Sequence, residues 1–212
     1  MRLGIFGGTF NPIHYGHLKA AGEARRKCRL DKIIFVPSGN PPLKSHDIAE
    51  AGHRYRMAAI AAEEGRFEVS DVETARSDKS YTVDTLNRLL RLHQKDELFF
   101  MLGTDAFLDL PNWKQPDKIV SLIDLIIVTR PGFDISDINK SPYLSEAARS
   151  GKKKQEHFEL ALRGGRTAQV IRVTPYDISS TVIRKRIKDK KTLRGLVPPK
   201  VAAYIKQNGL YL

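Results

Sequence analysis

The opening stretch MRLGIFGGTFNPIHYGHL constrains this chain more than any other. Leu3 to Phe6 reads as a short apolar strand. Gly7 and Gly8 are expected to break it, and Pro12 to keep the turn that follows out of helix. Gly16, His17 and Leu18 then open an amphipathic segment that runs to about Cys28. The order is strand, glycine turn, two histidines, helix. That layout suits an anion site at the carboxyl edge of a parallel sheet. Glycines bring backbone N–H groups within reach of an anion, and the helix N-terminus adds partial positive charge.

His14 and His17 carry the chemistry of the stretch, spaced H-x-G-H around Gly16. A lone histidine is most often structural. Two of them beside a Gly-Gly turn can present both rings on the side of the N–H groups. A zinc site is a poor rival, because Cys28 is the only cysteine and no H-E-x-x-H motif accompanies the pair.

Beyond this stretch, apolar runs alternate with amphipathic ones. Lys32 to Val36 reads as a buried strand, closed by the loop PSGNPPLKSH, in which Lys44 suits either solvent or a phosphate. His53 to Ala62 reads as a helix with Met57, Ile60 and Ala61 on one face, and Phe67 to Val69 as a short strand. Thr82 is placed to cap a helix bearing Val83, Leu86, Leu89 and Leu90. Leu98 to Leu102 is a long buried strand followed by Gly103, Thr104 and Asp105, and Asp105 suits a helix cap or a hydrogen-bond acceptor for a ligand. A short helix, Ala106 to Leu110, is expected to end at Pro111, ahead of the only tryptophan, Trp113, in a polar loop. Asp124 to Thr129 and Val170 to Val173 read as strands. Residues 133–165 read as an insertion holding a helical run from Gln155 to Leu162. Near the end, three hydroxyl residues start a helix, with Ser179 as its cap and Ser180 and Arg184 on one face. Pro198 to Gln207 is the final helix.

Alternation without repeats or linkers predicts an α/β fold: a doubly wound parallel sheet with a C-terminal helical portion, in a single domain over residues 1–212. No apolar run approaches the ~20 residues that span a bilayer, and no signal peptide is seen, so a membrane partner is not expected. One cysteine suits a reducing, cytoplasmic setting. The formal charge of +12 favours anionic partners. The densest basic run, Arg184 to Lys200, and the cluster Lys152 to Lys154 are not interleaved with aromatics, so a nucleic-acid groove is not expected. A homo-oligomer is compatible with the sequence.

Two stretches carry a resemblance. GGTFNPIHYGHL resembles the N-terminal signature of the (H/T)-x-G-H nucleotidyltransferase superfamily, and Ile178-Ser179-Ser180-Thr181-Val182-Ile183-Arg184 matches its I-S-S-T-x-x-R signature at every fixed position. PSGNPPLK, SYTVDTL, LGTDAFLDLPNW and the closing VPPKVAAYIKQNGLY further resemble the bacterial nicotinate mononucleotide adenylyltransferases. The resemblance implies a Rossmann-like fold, ATP and nicotinate mononucleotide as substrates, and Mg²⁺ arriving with ATP. It implies that Gly7, Gly8, Thr9 and Phe10 line the nucleotide cleft with backbone groups. His14 and His17 would contact ATP phosphates, Ser180 and Arg184 would hold the β- and γ-phosphates, and Ile178 would join them in binding ATP. Gly103 and Asp105 would lie by the adenosine ribose, Lys44 would bind phosphate, and Thr82 and Trp113 would hold the nicotinate ring. Three positions depart from the common pattern: Asn11 replaces Asp, Leu43 replaces His, and Lys114 replaces an aromatic found in some relatives. The residues leave open the amide form of the pyridine substrate, phosphopantetheine as acceptor, and a basic nucleic-acid-binding module on the same fold.

Overall fold

A computed structural model describes residues 1–41, 48–129, 135–149 and 157–212. Among them the chain forms strands β1 (Arg2–Gly8), β2 (Lys32–Pro37), β3 (Glu68–Val69), β4 (Glu97–Gly103), β5 (Asp124–Thr129), β6 (His157–Ala161) and β7 (Thr167–Arg172). The helices are α1 (Tyr15–Lys27), α2 (Ala51–Gly65), α3 (Thr82–Leu92), α4 (Thr104–Asp109), α5 (Pro116–Leu122), α6 (Glu146–Arg149), α7 (Ser180–Lys188) and α8 (Pro199–Gln207). The strands make a seven-stranded sheet in the order β3-β2-β1-β4-β5-β7-β6. The chain runs outward from β1 to β3, then resumes beside β1 at β4, which is the strand-order reversal of doubly wound sheets. No helix among the described residues is long and apolar enough to cross a membrane.

The chain divides into two compact units. The first holds residues 1–6, 23–33 and 81–175. Its parallel ladder pairs Leu3 with Leu98 and Ile5 with Phe100, then Met101 with Ile126 and Ile127 with Val170. Leu125, Ile126 and Ile127 are wholly buried, as a continuous apolar run requires in a covered parallel strand. In α3, Val83, Leu86 and Leu89 face the core. Thr82 is not the cap of α3: the helix begins at Thr82 itself, and the carbonyl of Tyr81 accepts the N–H groups of Asp84 and Thr85. The α-helix before Pro111 does end ahead of it, at Asp109, and Leu110 falls instead in a 3₁₀ turn over Leu110–Asn112.

The largest departure is β6. Its residues lie in the run expected to be helical, yet they pair antiparallel with β7, Phe158 opposite Val170 and Leu160 opposite Ala168. Gly164 and Gly165 make the turn between them, Gly165 at φ 76°, and Leu162 N–H donates to the Arg166 carbonyl to close it. Two glycines between short apolar segments are a hairpin signal that outranks the weak helical spacing before them. The sheet is therefore mostly parallel, with an antiparallel edge strand. Lys44, Leu43, the Lys152–Lys154 cluster and the start of the Gln155–Leu162 run lie outside the described residues.

The second unit holds residues 7–22, 34–80 and 176–212. Ile34 and Phe35 of β2 pair in parallel with Glu68 and Val69. β1 continues through Gly7 and Gly8 rather than breaking at them, since glycine without Cβ remains compatible with a strand. The centre of this unit is Arg54, 1% exposed on α2. Its Nε donates to the Ala49 carbonyl at 2.8 Å, Nη1 to the Thr9 carbonyl at 2.9 Å and to Ser38 Oγ at 3.4 Å, and Nη2 to the Gly39 carbonyl at 2.8 Å. Ser80 Oγ accepts the N–H groups of Gly39 and Asn40 from the other side. The loops that follow β1 and β2 are thus tied to one guanidinium.

Arg54→Lys replaces a planar fork with a point donor, strands buried carbonyls, and is expected to lower unfolding free energy by about 2–4 kcal/mol in urea titration. Cys28 is 3% exposed and burial pushes its thiol up to about 11. Its thiolate is scarce at pH 8, so a thiol reagent should label the native protein ~10²-fold more slowly than the urea-unfolded chain, and labelling at equal rates would contradict the burial.

Candidate active site

The turn between β1 and α1 is built by packing before any chemistry. Phe10 is buried with φ 47°, a conformation unusual for a non-glycine residue. Its ring is held edge-on to Phe35, centroids 5.4 Å apart, and edge-on to His17 at 5.1 Å. A Cβ on Gly8 would lie 2.9 Å from that fixed ring, so this position requires glycine. Asn11 and Pro12, joined by a cis peptide bond, then lead into the histidines.

His14 and His17 stack, centroids 3.7 Å apart and planes inclined by 27°. The His14 backbone N–H donates to His17 Nδ1 at 3.3 Å. An imidazole that accepts at Nδ1 carries its proton on Nε2, so His17 presents an N–H donor on its far side. His14 is 5% exposed and His17 half-buried. A Cβ on Gly16 would come within 2.9 Å of His14 Nδ1, which explains the glycine of H-x-G-H. The stacked pair leaves no room for a side chain there.

The second signature closes on this turn. Ser179 caps α7, its Oγ accepting the Val182 N–H at 3.2 Å. One residue on, Ser180 Oγ donates to the Pro12 carbonyl at 2.9 Å. One helical turn later, Arg184 Nη1 donates to the Asn11 carbonyl at 2.9 Å. Ser180 and Arg184, four residues apart and on one face, thus address successive carbonyls of the first loop. Ile178 is half-buried, and its carbonyl is 3.5 Å from where a Gly16 Cβ would stand. The structure brings Gly8, Thr9, Phe10, His14, His17, Ile178, Ser180 and Arg184 into one cluster, with Gly7 just before it at the end of β1. Imidazole, guanidinium and helix-end N–H donors in one cluster form a site suited to phosphate.

Asn11 accounts for itself in this arrangement. Its Oδ1 accepts the Ala49 N–H at 3.0 Å and the Tyr211 hydroxyl at 2.8 Å. The position needs an acceptor, which an amide supplies without a charge.

The remaining candidates lie in the first unit. Gly103 precedes α4 in extended conformation, and a Cβ there would run into Asp105 Oδ1. Asp105 is exposed in the first turn of α4 and is not its cap. Thr82 is half-buried at the start of α3. Trp113 is half-buried; its Nε1–H donates to Asp109 Oδ2 at 3.0 Å and its ring meets Phe100 at 6.4 Å. Lys114 pairs with Asp84 of α3 at 2.9 Å and sits 4.4 Å over the Tyr81 ring. The lysine thereby pins the Trp113 loop to the start of α3.

Arg54 and Tyr211 were not among the expected site residues. Arg54 had a readable signal, since it precedes Met57, Ala58 and Ala61 at helical spacing on the buried face of α2. Tyr211 had none, because its partner is distant in sequence.

Comparison with known proteins gives the family. The cytidylyltransferase-like family model matches residues 5–186. A protein of Desulfitobacterium hafniense, named as a probable nicotinate-nucleotide adenylyltransferase, is 41% identical over 212 residues, covering 99% of this chain and 95% of its own. A Thermus thermophilus protein of the same name is 38% identical, with both chains fully covered. Among solved structures, Plasmodium falciparum nicotinic acid mononucleotide adenylyltransferase complexed with NaAD superposes with a TM-score of 0.75, at 23% identity, covering 99% of this chain and 97% of that one. At that identity the likeness speaks to the fold. The family model and the two long, similar sequences place this chain in the cytidylyltransferase-like family and, within it, among the nicotinate-nucleotide adenylyltransferases.

Proposed function

We propose that the chain, acting as one nucleotidyltransferase domain, transfers the adenylyl group of ATP to nicotinate mononucleotide, forming nicotinate adenine dinucleotide and pyrophosphate. The observation that carries this reading is the convergence of both signatures on the Asn11 and Pro12 carbonyls, which groups two imidazoles, a guanidinium and a helix N-terminus. The names of the relatives support the substrate.

A phosphate oxygen of the mononucleotide attacks the α-phosphorus of ATP in line. The bond from that phosphorus to the bridging oxygen of the β-phosphate breaks, and pyrophosphate leaves with the electron pair. No covalent intermediate on the protein is needed: the only thiol is buried and its pKa raised, and Ser180 Oγ is directed at Pro12. The work of the chain is positioning and charge stabilisation. His17 donates from Nε2, and Arg184 donates through the N–H groups not turned to Asn11. His14 supports the ring of His17. Gly103 and Asp105 serve the adenosine ribose, Thr82 and Trp113 the nicotinate ring, and Lys44 a phosphate. The donors of the cluster suit phosphate rather than a hard oxygen-liganded cation, so Mg²⁺ would be held by ATP phosphates and water, where it offsets charge on the leaving group.

The test is pyrophosphate release from ATP and Mg²⁺ with nicotinate mononucleotide, nicotinamide mononucleotide and phosphopantetheine in separate reactions. Fast release with the first is expected. Release only with another acceptor would move the substrate assignment, and silence with all three, joined to steep salt-dependent binding of DNA or RNA, would favour a nucleic-acid-binding module. His17→Ala is expected to lower turnover at least ~10²-fold, as when a donor to the transition state is removed. Near-normal turnover would take His17 out of the mechanism.

A further inference from the structure

The closing residues QNGLYL belong to a stretch that resembles the family, yet they supply none of the groups assigned above. After α8 the chain reverses, with Gly209 at φ 59° and Tyr211 at φ 66°. A tyrosine adopts that left-handed conformation rarely, and here it is held by a specific bond. Its hydroxyl donates to Asn11 Oδ1 at 2.8 Å, beside the Ala49 N–H on the same oxygen. The main chain of Asn11 meanwhile accepts from Arg184, and the next carbonyl from Ser180. Arg184 and Tyr211 also border one cavity of about 400 Å³, together with His53 and Lys188. The guanidinium therefore has an open side as well as a committed one.

We infer that Tyr211 is a positioning residue for the ATP phosphates: its hydroxyl fixes the Asn11 side chain, and the Asn11 peptide fixes the direction of the Arg184 guanidinium. The inference rests on the adenylyl-transfer reading. A guanidinium is a rigid planar fork, so anchoring Nη1 on the Asn11 carbonyl sets where its other N–H groups point. Without the tyrosine hydroxyl, Asn11 Oδ1 loses the shorter of the two bonds that Ala49 and Tyr211 make to it, and the side chain is held less firmly. The Asn11 peptide then loosens, and Arg184 meets the phosphates less well ordered. Burial pushes the Tyr211 phenol well above its ordinary range, so it stays a neutral donor throughout the working pH range.

Tyr211→Phe removes one oxygen and little else. Pyrophosphate release at varied ATP, calorimetric binding of Mg–ATP and thermal melting would be measured on the wild type, Y211F, N11A and the double variant. Y211F is expected to raise KM and Kd for ATP about 3–10-fold, with kcat changed less and the melting midpoint close to wild type. In the N11A background the same change should add nothing, because Tyr211 acts through Asn11. Deleting residues 211–212 should reproduce the rise in KM. An unchanged KM in Y211F, whether or not the melting midpoint falls, would overturn the inference. Equal effects in both backgrounds would do the same. A wild type that releases no pyrophosphate would sink the adenylyl reading and this inference with it, whereas an active wild type with an indifferent Y211F sinks this inference alone.

Discussion

A charged side chain in the interior is the constraint around which the second unit is assembled. Arg54 takes its charge out of water, and desolvation lowers its pKa. What offsets that burial is a set of main-chain carbonyls, those of Thr9, Gly39 and Ala49, with the Ser38 hydroxyl. These acceptors belong to the segment after β1, the segment after β2 and the residue two positions before α2. Loops of this kind carry unpaired carbonyls, and a guanidinium with five N–H groups in a fixed plane satisfies several at once. One residue therefore does for three loop ends what a ladder does for strands.

A hierarchy follows from that anchoring. Arg54 and Ser80 fix the loop ends, Phe10 and Gly8 shape the first turn, and the stacked histidines sit on that turn. Ser180 and Arg184 then reach it from the other end of the sequence. Each layer is held by contacts to the one beneath it, which is how a site of donors can be in place before any ligand arrives.

Much of this was legible in the sequence. The order of strands and helices was, because continuous apolar runs such as LFFML and DLIIVT admit little else than buried strands. The two signatures were also legible, since H-x-G-H and I-S-S-T-x-x-R combine residue type with spacing. The hairpin of β6 is ambiguous in sequence because F-E-L-A-L fits both periods, and only Gly164-Gly165 signals the turn. Thr82 lies one residue inside the helix rather than at its cap, a shift common at helix ends. Arg54 is hard to read because a charge on an apolar helix face makes sense only with its acceptors, all from other segments. Tyr211 was beyond reach: its bond to Asn11 depends on the fold closing, not on any local pattern. The roles of Lys44, Thr82, Trp113 and Asp105 toward a ligand rest on resemblance, which local packing neither needs nor reveals.

The stacked histidine pair leaves one letter of its motif unspecified. His14, Gly16 and His17 are each determined by the same few ångströms of packing. Tyr15 is not: its side chain leaves the cluster and its hydroxyl donates to Glu64 at 3.0 Å, while its contribution to the turn is a backbone N–H bonded to the Leu196 carbonyl. Any residue with an amide hydrogen can make that second bond. Position 15 is thus a free coordinate inside a rigid motif, where surface character can vary while the stacked pair beside it keeps its geometry.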